Sequence, residues 1–86
     1  MTSYNFINGV RTSESAELIT GILRGEWGYK GLVTTDWFNT ADRGKEVLAG
    51  NDIHMPSEDA RPFDNVDRNS LAICVKRLLE MILWFE

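Results

Sequence analysis

The chain has 86 residues, enough for one small domain, and a chain of this size buries only about 60% of the surface it exposes when unfolded. With 43% hydrophobic and 26% charged residues, its composition is that of a globular protein, not a disordered tail, a collagen-like repeat or a linker. Nine basic residues against thirteen acidic ones give a net charge of −4, which leaves no basic stripe for neutralising phosphates and argues against nucleic acid and membrane surfaces as partners.

Residues 1–6 read as a short strand that runs into the Asn8-Gly9 turn signal. Ser13 and Ser15 offer caps for a helix over 15–27, with Glu14 and Glu17 at its positive end and Leu18, Ile19, Ile22, Leu23 and Trp27 on one face. Gly28 stops it. The run Leu32-Val33-Thr34-Thr35-Asp36 is apolar and β-branched, as a buried parallel strand over 32–36 should be. Asn39 or Thr40 can cap a helix over 40–49 that Gly50 ends. A third strand spans 53–55 and closes at Pro56. The polar stretch from Ser57 to Asn65 reads as a loop, and its acidic residues Glu58, Asp59 and Asp64 lack the spacing of an EF-hand. Asp67 caps a last helix over 68–85, whose apolar face is Leu71, Cys74, Val75, Leu78, Leu79, Ile82 and Phe85.

Strand and helix therefore alternate through about three units, the pattern of an α/β fold with parallel strands and right-handed crossovers. Chemistry in such folds sits beyond the carboxyl ends of the strands, which directs attention to Asn5 to Val10, Asp36 to Thr40 and Met55 to Ser57. Asp36 ends an otherwise apolar strand, and Trp37 beside it supplies a flat wall. A carboxylate on a rigid element next to an aromatic platform suits a sugar ring and attack on its anomeric carbon. The alternative is a turn or capping aspartate beside a core tryptophan.

Other residues carry plainer readings. Asp52 and His54 alternate on one strand and could share a face as an acid-base pair, although a lone histidine is more often structural. Arg24 and Glu26 suit ion pairs near a helix end. Cys74 lies on an apolar helix face and reads as a small buried hydrophobe. One cysteine and one histidine make neither an internal disulfide nor a zinc site, so no metal and no cofactor is expected. No apolar run approaches the roughly 20 residues of a membrane helix. No signal peptide is visible, so the chain as expressed is expected in the cytoplasm.

Four motifs in order resemble glycoside hydrolase family 3. Met1-Thr2-Ser3-Tyr4-Asn5 followed by Asn8-Gly9 is similar to its M-x-S-Y-N-x-x-N-G motif. Glu14, Leu18 and Ile22-Leu23-Arg24-Gly25-Glu26-Trp27-Gly28-Tyr29 resemble its E-N-x-x-L-L-x-x-I-L-R-x-E-W-G-F segment. Gly31-Leu32-Val33-Thr34-Thr35-Asp36-Trp37 resembles its G-x-V-V-S-D-W motif, and Ala49-Gly50-Asn51-Asp52-Ile53-His54-Met55-Pro56 its A-G-x-D-x-x-M-P. The resemblance covers Met1 to Pro56; the last helix fits by pattern alone.

The resemblance implies a retaining β-glycosidase, β-glucosidase-like, whose N-terminal domain is a (β/α)8-type barrel followed by an α/β sandwich. It implies that Asp36 is the nucleophile and that Trp37, Tyr4 and Met1 line the sugar subsite. The substrate would be a β-glycoside or oligosaccharide. Thr35 stands for the usual serine, Phe38-Asn39 for small residues, and Ser15-Ala16 for asparagine-proline, a good helix start. The family's other sugar ligands lie on upstream strands and its acid/base glutamate generally in the second domain. A whole barrel takes about 250 residues, so the chain reads as a fragment of a (β/α)8-type barrel, its closing units, inactive alone and prone to self-association. The competing expectation is a non-catalytic α/β interaction or oligomerisation module.

Overall fold

Asn8 and Gly9 both take the left-handed conformation, with φ of 51° and 78°. Two such residues in succession make the tight turn that joins antiparallel strands with native twist. The computed structural model, which describes residues 1–56 and 65–85, accordingly pairs β1 (Phe6–Ile7) with β2 (Val10–Arg11), Phe6 opposite Arg11 and Ile7 opposite Val10. The Arg11 guanidinium lies 4.8 Å from the centre of the Phe6 ring, a cation–π contact across the pair. A 3₁₀ turn, Thr12–Glu14, follows.

This hairpin corrects the expected architecture at its first element. Residues 1–6 were expected to form a parallel strand; β1 takes only the end of that stretch and pairs antiparallel. The segment before it still runs beside residues 34–37, because Thr2 N–H donates to the Thr34 carbonyl at 2.9 Å and the Tyr4 hydroxyl to the Trp37 carbonyl. Both contacts advance along the two segments together, so the segments run the same way. One backbone bond does not make a ladder, and the segment stays irregular.

The second and third expected strands lie side by side in parallel, but only Thr34 and Ile53 form a bridge. Around it, Thr35 N–H donates to Ile53 O at 2.9 Å and Asp52 N–H to Val33 O at 2.7 Å. The buried Thr35 hydroxyl adds a side-chain link by accepting from Met55 N–H at 2.9 Å. Among the described residues, the observed fold is thus a small mixed unit: three helices, one antiparallel hairpin and a single parallel bridge. A ladder needs partners on its flanks, and here each extended segment has few.

The helix Glu17–Glu26 is wound wider than an α-helix, with i→i+5 hydrogen bonding such as Trp27 N–H to Ile22 O at 2.9 Å. Gly21 and Gly25 within it weaken the preference for tighter winding. More residues per turn redistribute the expected apolar face. Ile19 is buried, Leu18, Ile22 and Leu23 are half-buried, and Trp27 is exposed. Ile19, Val33 and Ala49, with Leu23 against them, form the apolar core.

Helix α1 (Arg43–Ala49) is capped by Asp42, whose carboxylate accepts from Lys45 N–H at 3.0 Å. This is later than the expected Asn39 or Thr40, because the Asn39 side chain is turned inward. Gly50 ends α1 with φ of 114° and donates to the carbonyls of Glu46 and Val47. Helix α2 (Arg68–Trp84) starts at Asp67, which accepts from the Ser70 backbone at 2.9 Å. Of its expected apolar face only Cys74 is buried; Leu71, Val75, Leu79 and Ile82 are exposed, since α1 offers too little surface to cover them. The acidic stretch with Glu58, Asp59 and Asp64 lies outside the described residues.

Gly50 makes the fold testable. A Cβ there would lie 2.9 Å from Thr20 Oγ1 and 3.1 Å from Ile19 Cγ2, on a backbone that L-residues rarely adopt. Gly50→Ala is expected to cost roughly 1–3 kcal/mol, seen as a lower urea midpoint at unchanged m-value.

Candidate functional site

The parallel bridge fixes where Asp36 stands. Thr34 and Thr35 are tied to Ile53, and the chain leaves that bridged segment at Asp36, which is half-buried. Asp36 Oδ1 accepts from Trp37 N–H at 2.7 Å, a local turn that turns the chain out of the core. The Tyr4 hydroxyl donates to the Trp37 carbonyl. Tyr4 and Trp37 are 51% and 46% exposed, so both side chains stand open to solvent at this turn. Trp37 also packs on Phe38 with ring centres 5.8 Å apart.

The structure therefore gathers Tyr4, Asp36 and Trp37 at one edge. Met1 is placed elsewhere: it lines a separate cavity of 510 Å³ with Leu18, Ile22, Leu23 and Trp27, against the wide helix. None of Tyr4, Asp36 or Trp37 lines that cavity.

The pairing of Asp52 with His54 that their spacing allowed is not formed. The Asp52 carboxylate is fully buried and faces Arg24 and Arg77 instead: Oδ2 accepts from Arg24 at 2.6 Å and Oδ1 from Arg77 at 2.7 Å. Val33 N–H donates to Oδ2 at 3.0 Å. His54 faces the other way, with Nδ1 3.6 Å from Glu46 Oε1. Two residues apart share a face only in a regular strand, and Ile53 alone is bridged here. Arg24 is in an ion pair, as its position suggested, but a buried one. The Cys74 thiol is pushed up by burial and by the Asp52 charge, and it donates to the Asn51 carbonyl at 3.2 Å. It is an inert core group, not a nucleophile.

Sequence reasoning passed over a second buried carboxylate. Glu46 on α1 has no solvent exposure. Its Oε2 accepts from Asn39 Nδ2 at 2.9 Å, and its Oε1 lies 3.8 Å from Arg43 and 3.6 Å from His54. The signal was present in the helix pattern. Arg43, Glu46, Val47 and Gly50 follow the i, i+3, i+4, i+7 spacing of a buried face, so a charged pair sits where apolar residues belong.

Burial pushes the Glu46 carboxyl up, but the His54, Asn39 and Ser13 side chains beside it outweigh that and hold the group below its ordinary value. The capping carboxylates are also lowered, Asp42 chiefly by the Lys45 backbone bond and Asp67 by that of Ser70. A lowered folded value means that the stabilisation from Glu46 is present above the unfolded value of about 4.3 and is lost as pH falls through the folded one. Glu46→Gln is therefore expected to flatten the acid limb. Its urea midpoint should fall less than that of the unaltered chain between about pH 5 and pH 3, followed by tryptophan fluorescence.

Among the described residues no group of three or more histidine, cysteine or acidic side chains is gathered as a metal site, and no helix is long and apolar enough to cross a membrane.

Comparison with known proteins gives this edge its context. The glycosyl hydrolase family 3 N terminal domain matches residues 1–77. A probable β-glucosidase I of Aspergillus niger is 50% identical over 95 aligned residues, covering 100% of this chain and 12% of that protein. A probable β-glucosidase J of Neosartorya fischeri is 42% identical over 91, covering 95% of this chain and 10% of the relative. β-Glucosidase A of Butyrivibrio fibrisolvens is 60% identical over 52, covering 60% of this chain and 6% of the relative. The chain thus spans about a tenth of the length of the curated relatives it matches. With the family's N-terminal domain matching nearly its whole length, and with the S-D-W-like and M-P-like segments side by side at the Asp36 edge, the chain belongs to glycosyl hydrolase family 3.

Proposed function

We propose that this chain is the nucleophile-bearing part of a retaining β-glycosidase, β-glucosidase-like, that removes terminal β-linked sugars. The observation that carries the reading is the position of Asp36, at the end of a bridged segment with Tyr4 and Trp37 beside it. The order of the three extended segments supports a further step: they are neighbouring strands of a (β/α)8-type barrel that become ladders when flanked by others.

In this reading the sugar lies against the Trp37 and Tyr4 rim. Asp36 Oδ1 is held by Trp37 N–H, so attack on the anomeric carbon falls to Oδ2. The new C–O bond forms as the bond to the leaving oxygen breaks, and a carboxylic acid from another part of the protein gives that oxygen its proton. Water, deprotonated by the same group, then attacks the anomeric carbon, and Asp36 leaves with its electron pair. Two inversions return the original configuration.

The chain alone supplies the nucleophile without the acid, and acid assistance is worth about 10²–10⁴-fold. The 86 residues alone are expected to release no nitrophenol from a nitrophenyl β-glucoside above an Asp36→Asn control. Placed in the Aspergillus niger relative in exchange for the matching segment, the same residues are expected to turn it over. Asp36→Asn there should lower kcat/KM by roughly 10³-fold or more. An active chimera indifferent to Asp36→Asn would overturn the assignment.

A second reading, that the chain associates with itself, is favoured by the apolar strip on α2. Leu71, Val75, Leu79 and Ile82 are exposed in register along one side, with Lys76 and Glu80 of opposite sign on the same helix. Two such helices can pair strip to strip. Light scattering at micromolar concentration should give a mass well above 9.8 kDa; a monomer would refute this reading.

A further inference from the structure

The turn that carries the site is held from behind. After Trp37 the chain passes through Phe38, whose φ of 56° is a left-handed conformation that a bulky side chain adopts only under constraint. Two constraints hold it among the described residues. Phe38 N–H donates to the Pro56 carbonyl at 2.9 Å. Asn39 is buried, accepts from Ala41 N–H through Oδ1 at 3.1 Å, and donates through Nδ2 to Glu46 Oε2 at 2.9 Å.

Burying an ionised carboxylate is costly unless charge and hydrogen bonds compensate. An apolar side chain at 46 would fill the α1 face without that cost. What Glu46 adds is a bond that reaches out of the helix to the turn two residues beyond Trp37. Among the described residues, Arg43 from its own helix and His54 from the neighbouring segment are the charged or titratable groups against it, and they fix the carboxylate in turn.

We propose that Glu46, acting through Asn39, is a positioning residue that sets Asp36 and Trp37 at the sugar-binding edge. The proposal rests on the reading of that edge given above. Without the Asn39–Glu46 bond, the left-handed turn at Phe38 loses a restraint, and the indole and carboxylate lose their fixed relation.

Hydrogen exchange on the full ¹⁵N-labelled chain tests this, with amides of Thr35 and Asp52 as internal controls, since these bond across the parallel bridge and not through the turn. Asn39→Asp keeps the acceptor for Ala41 but sets two carboxylates against each other. At pH 7 it is expected to lower protection of the Phe38 amide by at least about tenfold and to shift the Trp37 indole resonance, with Thr35 and Asp52 unchanged. At about pH 5 the pair can share a proton, and protection should recover.

Asn39→Asp combined with Glu46→Gln restores a donor and an acceptor in reversed order and should restore both signals at pH 7. If Asn39→Asp alone does not fold, recovery in the double variant carries the test. An unchanged Phe38 amide, equal loss at Thr35 and Asp52, or no recovery in the double variant would overturn the proposal. Exchange reads geometry and not sugar chemistry. Its failure therefore leaves the Asp36 assignment standing, and failure of the chimera leaves the turn's anchoring standing.

Discussion

The interaction on which the rest of the fold depends is the burial of one carboxylate, Asp52. The apolar core is small, Ile19, Val33 and Ala49 with Leu23, too little to hold three helices and three extended segments by area alone. Asp52 joins four of these pieces at a point. Arg24 comes from the wide helix, Arg77 from α2, Val33 N–H from the second segment, and Asp52 itself from the third. Arg24 also donates to the carbonyls of Gly31 and Gly50, so one guanidinium closes both ends of the helix–segment connection. A buried pair like this adds little beyond what well-packed apolar residues would give, yet removing one partner leaves an uncompensated charge at a cost of about 3–5 kcal/mol. The arrangement specifies which pieces meet more than it adds stability.

A second polar centre works at the other end of the same short stretch. Between Glu46 and Asp52 lies Asn51, fully buried, whose Nδ2 donates to the carbonyls of Ser13 and Glu46 and whose Oδ1 accepts from Thr2. These bonds, with that of Asp42 N–H to Glu14 Oε2, tie the N-terminal segment to α1. The stretch from Glu46 to Asp52 thus serves both sides: towards Asp52 it gathers the helices, and towards Glu46 it gathers the turn that bears Asp36. Satisfied polar groups of this kind are directional, so they place side chains where a thin apolar core could not.

Local chemistry was legible in the residues where it depends on near neighbours. Asn8-Gly9 signalled a turn, Asp67 a cap, Gly50 a helix end, and the β-branched run before Asp36 an extended segment. Properties that depend on distant neighbours were not. The stretch 1–6 has strand-forming residues, but pairing is decided by what lies beside it, and the Asn8–Gly9 turn won the last of those residues for a hairpin. The apolar face of α2 was correctly patterned, yet exposure is set by the surface available to cover it. A period of two allowed Asp52 and His54 a common face, which an isolated bridge does not enforce. Glu46 was hidden by its own type: a glutamate on a helix looks solvated unless its position on the buried face is weighed above its charge.

The same contrast explains the shape of the candidate site. Asp36 follows a restrained segment, bridged at Thr34 and pinned through the Thr35 hydroxyl to Met55. Tyr4 and Trp37, in contrast, stand half in solvent. A nucleophile gains from fixed geometry, because small displacements of the attacking atom are expensive in rate. Given the proposed roles, a sugar-binding rim can be completed by surfaces from elsewhere, provided that the groups on this side hold their relation to Asp36. In the proposed reading, the Tyr4–Trp37 bond in front and the Phe38–Pro56 and Asn39–Glu46 bonds behind preserve this relation. In that reading the restrained part of the site is therefore built into this chain, and the open part is the face across which the remaining chemistry would be supplied.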